Sequence, residues 1–306
     1  MRRPWPRTLR LPALLALAAL AGCATTVRDD ALTLQTAVEA DHRAVVAVLQ
    51  AANQEAQPYR IQNALGGDTF RRADLLLVDP ADIDAWDHIF AGLETYCAAL
   101  ARLTSGQSAT DFTAAAEGFA AQIQAFGGAV KATAPPHAAT AGAAVIELGT
   151  LVLQHRSARE ARELARAADP QFQQIIGRLI EALGYTGHPP QPGATGLLPT
   201  YQLAYRVATE EDRQVNFLGG AIAGFGAMSR DQKLAAIQRF SAWLDGERAH
   251  DQFVASAGAL VAALAKTGEA HAALASGSPA SLSKSLAELQ AQAHAASAIY
   301  RQLKGG

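Results

Sequence analysis

Apolar residues recur at every third or fourth position along three long segments of the chain, and this spacing strongly constrains the fold. Alternating intervals of three and four place such residues on one side of an α-helix and are typical of long helices packed side by side. We therefore predict an all-α fold, an elongated antiparallel helical bundle with coiled-coil-like seams. The three seams are Ile83, Trp86, Phe90, Leu93, Cys97 and Leu100; Phe112, Ala116, Phe119, Ile123, Phe126 and Val130; and Leu282, Leu286, Leu289, Ala293, Ala296, Tyr300 and Leu303.

The composition agrees with closely packed helices. Half of the chain is hydrophobic, but 70 of its 306 residues are alanine and only 6% are aromatic. Alanine is the best helix former among the amino acids. A β-sandwich needs β-branched and aromatic residues in alternation, and a disordered chain has fewer apolar residues than this one. The composition therefore argues against both classes.

Proline and glycine predict where the helices begin and end. Asp79-Pro80 and Ser278-Pro279 each place a capping side chain before a proline at a first helical position. Asp169-Pro170 predicts a kink or a restart, and Gly246, Gly258 and Gly268 argue against an unbroken final long helix. The predicted helices are 30–57, 80–105, 110–134, 137–168, 170–184, 199–227, 229–276 and 279–304. The proline- and glycine-rich segment 184–199 predicts a long loop or a hinge, so residues 30–306 form one bundle or two subdomains.

The first residues of the chain are typical of an export signal. Four arginines precede an apolar stretch from Leu11 to Ala21, which is too short to span a membrane permanently. The sequence Leu20-Ala21-Gly22-Cys23 that follows resembles the lipobox of bacterial lipoproteins.

This resemblance implies that residues 1–22 are removed and that Cys23 carries diacylglycerol and an acyl chain such as palmitate. Residues 23–29 would then be a lipidated tether. In that family an aspartate after the cysteine retains the protein at the inner membrane, and this chain has Ala24. The resemblance therefore implies an outer-membrane anchor facing the periplasm, with several acyl chains for stable attachment.

Charge and cysteine content narrow the possible partners. Without residues 1–22 the chain has 22 basic and 28 acidic residues, a net charge of −6. An acidic protein attracts neither DNA nor anionic lipid, so we expect no nucleic-acid partner. Cys97 is the second of two cysteines and lies in the first apolar seam. We therefore interpret it as a buried small hydrophobic residue.

Two Glu-x-x-His pairs are the candidate metal ligands. Glu247 and His250 occupy seam positions, and Glu39 and His42 interrupt an apolar stripe. One glutamate and one histidine at this spacing form half of the iron or manganese site of ferritin-like bundles. The remaining ligands would be lone inward glutamates, but Glu94 and another glutamate only flank their seams. Polar residues that fix helix register are the alternative interpretation.

Two other features bear on function. The run Val215–Met228 is uncharged and contains Gly220-x-x-x-Gly224, which predicts either a buried helix or a segment that inserts into a membrane, as in helical pore-forming toxins. The acidic residues Asp79, Asp82, Asp84 and Asp87 at one predicted helix start are interpreted as capping groups and a solvated face.

These observations lead to one expectation and two alternatives. We expect an outer-membrane lipoprotein whose helical bundle binds or scaffolds envelope proteins or a second copy of itself, without enzymatic activity. The alternatives are a dimetal carboxylate bundle using the two Glu-x-x-His pairs, with iron or manganese, and a membrane-active bundle using residues 215–228.

Overall fold

A computed structural model describes residues 11–64, 76–104, 136–154, 161–184, 196–212 and 225–277, with isolated helical positions between 284 and 298. The described residues form α-helices and one short 3-10 turn, and they contain no strand. The helices are α1 (Leu11–Ala64), α2 (Pro80–Thr104), α3 (Pro136–Gln154), α4 (Ala161–Leu183), α5 (Leu197–Asp212) and α6 (Arg230–Ser276), with the 3-10 turn at Phe225–Ala227. This architecture confirms the predicted all-α class.

The start and the seam of α2 follow the sequence prediction. Asp79 caps the helix, because its carboxylate accepts the backbone N–H of Ala81 at 2.9 Å, and Pro80 is the first helical residue. Five of the six seam residues of α2 are fully or almost fully buried, namely Trp86, Phe90, Leu93, Cys97 and Leu100. The 3-4 spacing therefore identified the buried side of this helix correctly.

Helix α1 packs against α2, α5 and α6. Asp41 of α1 contacts Thr267 of α6, whereas Tyr59, further along α1, lies beside Gly246, which is earlier in α6. The two helices are therefore antiparallel. α1 also begins before the predicted residue 30 and includes residues 24–29, for which the sequence predicted a tether.

The predicted restart of a helix at Asp169-Pro170 is wrong, because α4 continues through Pro170. A proline inside a helix removes one hydrogen bond and costs about 3 kcal/mol. The buried face of α4 offsets that loss through five large side chains, at about 1.5–3 kcal/mol for each fully buried residue. They are Leu164, Phe172, Ile175, Ile176 and Leu179.

The predicted interruption of the last long helix is also wrong, because α6 runs unbroken from Arg230 to Ser276. A capping box between Ser229 and Gln232 begins the helix, and Gly277 ends it with a left-handed backbone at φ 69°. Gly268 lies within the helix because α4 approaches closely there. A Cβ atom at position 268 would lie 2.9 Å from Oε1 of Gln173.

Only part of α6 is buried in the bundle. From Phe253 onwards its large apolar residues are buried or partly buried, whereas Leu234, Ile237 and Phe240 are between 42% and 55% exposed. The apolar side of α6 is therefore fully buried in the second half of the helix alone.

Several predictions fall on residues that the structure does not describe. The second seam, 112–130, lies outside the described residues, as do the third seam except Leu289 and the central part of segment 184–199. Leu289 is buried. Most of 215–228 also lies outside them, and so does the side chain of Cys23, whose backbone belongs to α1.

Candidate functional site

The Glu247–His250 pair lies in a group of aromatic rings where α1, α5 and α6 meet. We call Tyr59, Tyr201, Tyr205, His250 and Phe253 the aromatic cluster. The imidazole of His250 stacks on Tyr205 with ring centroids 3.7 Å apart and on Tyr201 at 5.3 Å, both at an interplanar angle of 16°. The sequence pattern indicated the polar pair but none of the tyrosines around it.

Helical spacing brings these rings together. Tyr201 and Tyr205 are four residues apart on α5, so they lie on one side of that helix. His250 and Phe253, three residues apart, lie on one side of α6. Tyr59 comes from α1 and meets Tyr205 edge-to-face, with centroids 5.1 Å apart and an interplanar angle of 90°. Such edge-to-face pairs add about 0.5–1.5 kcal/mol to the burial of the rings.

The acidic side chains beside the cluster have shifted pKa values. The hydroxyl of Tyr205 donates a hydrogen bond to Glu247. Burial and the neighbouring Asp251 raise the pKa of Glu247, and burial raises the pKa of Glu55. Burial together with the charges of Glu55 and Glu247 raises the pKa of Tyr59 to about 12. The site is therefore acidic as well as aromatic.

Two polar atoms of the cluster are buried without a hydrogen-bond partner among the described residues. They are Oη of Tyr201 and Nδ1 of His250. Burial lowers the pKa of His250, with Asp251 acting in the opposite direction, so its imidazole is neutral at pH 7. Unpartnered buried groups of this kind are uncommon in folded proteins, because each costs about 1–3 kcal/mol.

The Glu39–His42 pair lies against α2. Nδ1 of His42 is 2.7 Å from Glu94, Nε2 is 3.0 Å from Asp87, and the ring stacks on Phe90 with centroids 5.4 Å apart. An imidazole donates to two carboxylates only when both of its nitrogens are protonated. Burial opposes that charge, but the hydrogen bonds and charges of the two acids outweigh it and raise the pKa of His42.

This arrangement adds a role to two acids on α2. Asp87 was expected to belong to a solvated face and is 52% exposed, and Glu94 was expected to flank its seam. Both also contact His42 from one side of α2, where they lie seven residues apart. Glu39 accepts a hydrogen bond from Gln35 of its own helix at 2.9 Å and does not share this site.

The structure does not bring the two Glu-x-x-His pairs together. Asp41 lies level with Thr267, and Tyr59 lies level with Gly246 and Glu247. His42 and His250 are therefore separated by about 15 residues along the paired helices, or roughly 22 Å at 1.5 Å per residue. Within the described ranges, no group of three or more His, Cys, Asp or Glu side chains is arranged to hold a metal ion.

A third polar group, which sequence reasoning missed, crosses the core between α2, α4 and α6. His271 is fully buried, with Nδ1 at 2.8 Å from Asp169 and Nε2 at 2.8 Å from the hydroxyl of Tyr96. Its ring stacks on Phe172 with centroids 4.1 Å apart. To donate from Nδ1 to Asp169 and to accept at Nε2 from Tyr96, the imidazole must be neutral with its proton on Nδ1. Burial favours this neutral form, because it lowers the pKa of His271.

No spacing along the chain could have identified this group, since 175 residues separate Tyr96 from His271. The only local signal was Asp169 before Pro170, a pair that we had interpreted as a kink or a restart of the helix. In the structure the carboxylate of Asp169 also accepts a hydrogen bond from Nε2 of Gln173 at 3.0 Å. The hydrogen bonds to Asp169, chiefly that from His271, outweigh the effect of burial and lower the pKa of Asp169.

Cys97 is a core residue, as predicted. It is fully buried in α2, and burial, with smaller contributions from Glu94 and Glu39, raises the pKa of its thiol far above the ordinary value. Since the thiolate is the reactive form, this environment suppresses its chemistry.

One described helix, α6, meets the length and composition criteria for crossing a membrane. Half of its most apolar window is buried inside the bundle. Buried helices of soluble proteins meet the same criteria, so this property decides nothing about a membrane.

No protein-family model, no curated protein and no solved structure matches this chain. The candidate site is therefore defined by its own geometry.

Proposed function

We propose that this chain is a lipoprotein anchored in the outer membrane through Cys23, with a helical bundle in the periplasm that binds or scaffolds without catalysis. The observation that carries this proposal is the sequence Leu20-Ala21-Gly22-Cys23, placed directly after a basic segment and an apolar stretch. Two or three acyl chains provide stable membrane attachment, whereas a single chain binds only marginally.

The non-enzymatic part of the proposal is supported by the roles of the described polar residues. His42 joins α1 to α2, and His271 joins α6 to α2 and α4. Each of these imidazoles has both nitrogens occupied by partners from other helices. Groups held in this way fix the register of helices.

The geometry of α1 supports an anchor that is close to the bundle. Among the residues of α1 whose burial the structure describes, Ala31 is the first core residue, and the helix is continuous from Cys23 to that point. Eight residues of helix span about 12 Å, whereas the same residues fully extended would span about 27 Å. In this proposal the bundle therefore stands one short helical segment above the lipid and has little freedom to move away.

Substitution of the two cysteines tests the anchor. Cells expressing Cys23→Ser are expected to incorporate no labelled palmitate into the protein and to lose it from the membrane fraction. Cys97→Ala is the matched control, because Cys97 is buried in α2 and is expected to leave labelling unchanged. Labelling and fractionation that are the same in Cys23→Ser as in the unsubstituted chain would overturn the proposal.

A further inference from the structure

We propose that the aromatic cluster is a binding site for a small organic cation with a primary ammonium group. This inference rests on the binding role proposed above and adds a ligand class to it. Three properties of the site carry it: buried polar atoms without partners among the described residues, a group of aromatic rings, and acidic side chains beside them.

The unpartnered acceptors give the site its hydrogen-bonding requirement. Tyr201 is fully buried, and neither its hydroxyl oxygen nor Nδ1 of His250 has a partner among the described residues. Their rings stack with centroids 5.3 Å apart, so both atoms belong to the same part of the cluster. A neutral imidazole whose proton is on Nε2 offers Nδ1 as an acceptor, and a tyrosine oxygen accepts as well. A group with several donors fits this pair, and an ammonium has three.

The aromatic rings and the acids select for positive charge. A cation near the face of a tyrosine is attracted by the ring quadrupole, and the cluster supplies three tyrosines. The negative charges of nearby acids act on the rings: those of Glu55 and Glu247 on Tyr59, those of Glu55 and Asp251 on Tyr201, and that of Asp251 on His250. In the described part of the chain, no lysine or arginine contributes to the pKa of Glu55 or Glu247.

The position of the cluster makes it accessible to a small molecule. Tyr59, Glu55, Glu247 and His250 are half-buried, so the cluster reaches the surface of the bundle. Gly246 adds room at this edge, because a Cβ atom there would lie 3.7 Å from the hydroxyl of Tyr59.

Calorimetric titration of the purified full chain with n-butylammonium chloride tests the proposal. We expect saturable binding by the unsubstituted protein and no binding of 1-butanol, which has the same alkyl chain without the charge. Tyr201→Phe should weaken butylammonium binding at least about tenfold, because it removes one acceptor from a charged donor. Tyr96→Phe is the matched control, since its hydroxyl pairs with His271 outside the cluster, and it should leave the affinity unchanged.

The variant is expected to fold, because Tyr201→Phe removes a hydroxyl that has no partner in the described part of the chain. A melting temperature at or above that of the unsubstituted protein confirms this. Absence of butylammonium binding, equal binding of 1-butanol, or equal affinity in Tyr201→Phe would each overturn the proposal. A site that holds only water gives the first of these results. None of these three outcomes alters the palmitate labelling of Cys23. Failure of the cation-binding proposal is therefore distinguishable from failure of the lipid anchor.

Discussion

Thr267 of α6 donates its hydroxyl to the carboxyl of Asp41 of α1 across 2.6 Å, and both side chains lie in the core. Burial raises the pKa of Asp41 to about 7, although the hydrogen bond from Thr267 acts in the opposite direction. No basic side chain of the described residues contributes to this shift. Asp41 is thus an acid that keeps its proton in the folded chain at pH values where an exposed aspartate has lost it.

Replacing Asp41 by Asn should change the pH dependence of stability. The contribution of Asp41 is fully present below its unfolded pKa of 3.8 and is lost as the pH rises through about 7. A three-unit shift corresponds to up to roughly 4 kcal/mol. Asn is always neutral and still accepts from Thr267, so Asp41→Asn should exceed the unsubstituted chain in free energy of unfolding at pH 7.5 and match it near pH 4.

Urea denaturation at the two pH values measures this difference. Asp84→Asn, which changes an exposed residue of α2, serves as the control and should show little effect at either pH. The quantity to compare is the difference in free energy of unfolding between Asp41→Asn and the unsubstituted chain. If this difference is less favourable to Asp41→Asn at pH 7.5 than at pH 4, the burial of a neutral carboxyl is contradicted.

His42 is expected to stabilise the fold in its protonated form. Because its pKa is raised, its contribution is fully present below 6.5 and is lost as the pH rises through the folded pKa. Its carboxylate partners are 30% and 52% exposed, so solvent screening limits the contribution to about 0.5–1 kcal/mol. His42→Gln should therefore lower the free energy of unfolding more at pH 5.5 than at pH 8.

The control for this prediction is His88→Gln, at an exposed position of α2 close to Asp87. Chemical denaturation of both variants at the two pH values gives the comparison. An equal loss of stability at pH 5.5 and pH 8 for His42→Gln would mean that the imidazole acts through packing on Phe90 and not through charge.

Two buried tyrosines should respond in opposite ways to removal of their hydroxyl groups. Tyr96 and Tyr201 are both fully buried, but the hydroxyl of Tyr96 pairs with His271, whereas that of Tyr201 has no partner in the described structure. Tyr96→Phe should cost about 1–3 kcal/mol, because it leaves Nε2 of His271 unpaired. Tyr201→Phe should be neutral or stabilising. Thermal unfolding of the two variants side by side checks the prediction, and a larger loss in Tyr201→Phe would contradict it.

Sequence patterns predicted the helices well where local chemistry decides them. The 3-4 spacing located the buried side of α2, and Asp79-Pro80 located its first residue. Pro170 and Gly268 were misinterpreted because their local cost is overcome by tertiary packing. α4 buries a continuous apolar face across Pro170, and Gly268 allows Gln173 to donate to its carbonyl oxygen at 2.8 Å.

The candidate site was predicted less completely, because its partners come from distant segments. Glu247 and His250 were recognisable as polar residues in an apolar seam. Tyr59 and Tyr205 were not, since nothing along the chain indicates that residues 59, 205 and 250 meet. The same holds for His42, whose carboxylate partners lie 45 and 52 residues away.

The mass of the N-terminal peptide of the mature protein tests the central proposal most directly. If the lipobox acts as proposed, this peptide begins at Cys23 and its mass exceeds that of the unmodified sequence by a diacylglyceryl group on the sulfur and an acyl group on the amine. A mature chain that begins at any other residue, or a Cys23 that carries no lipid, would contradict the lipid anchor.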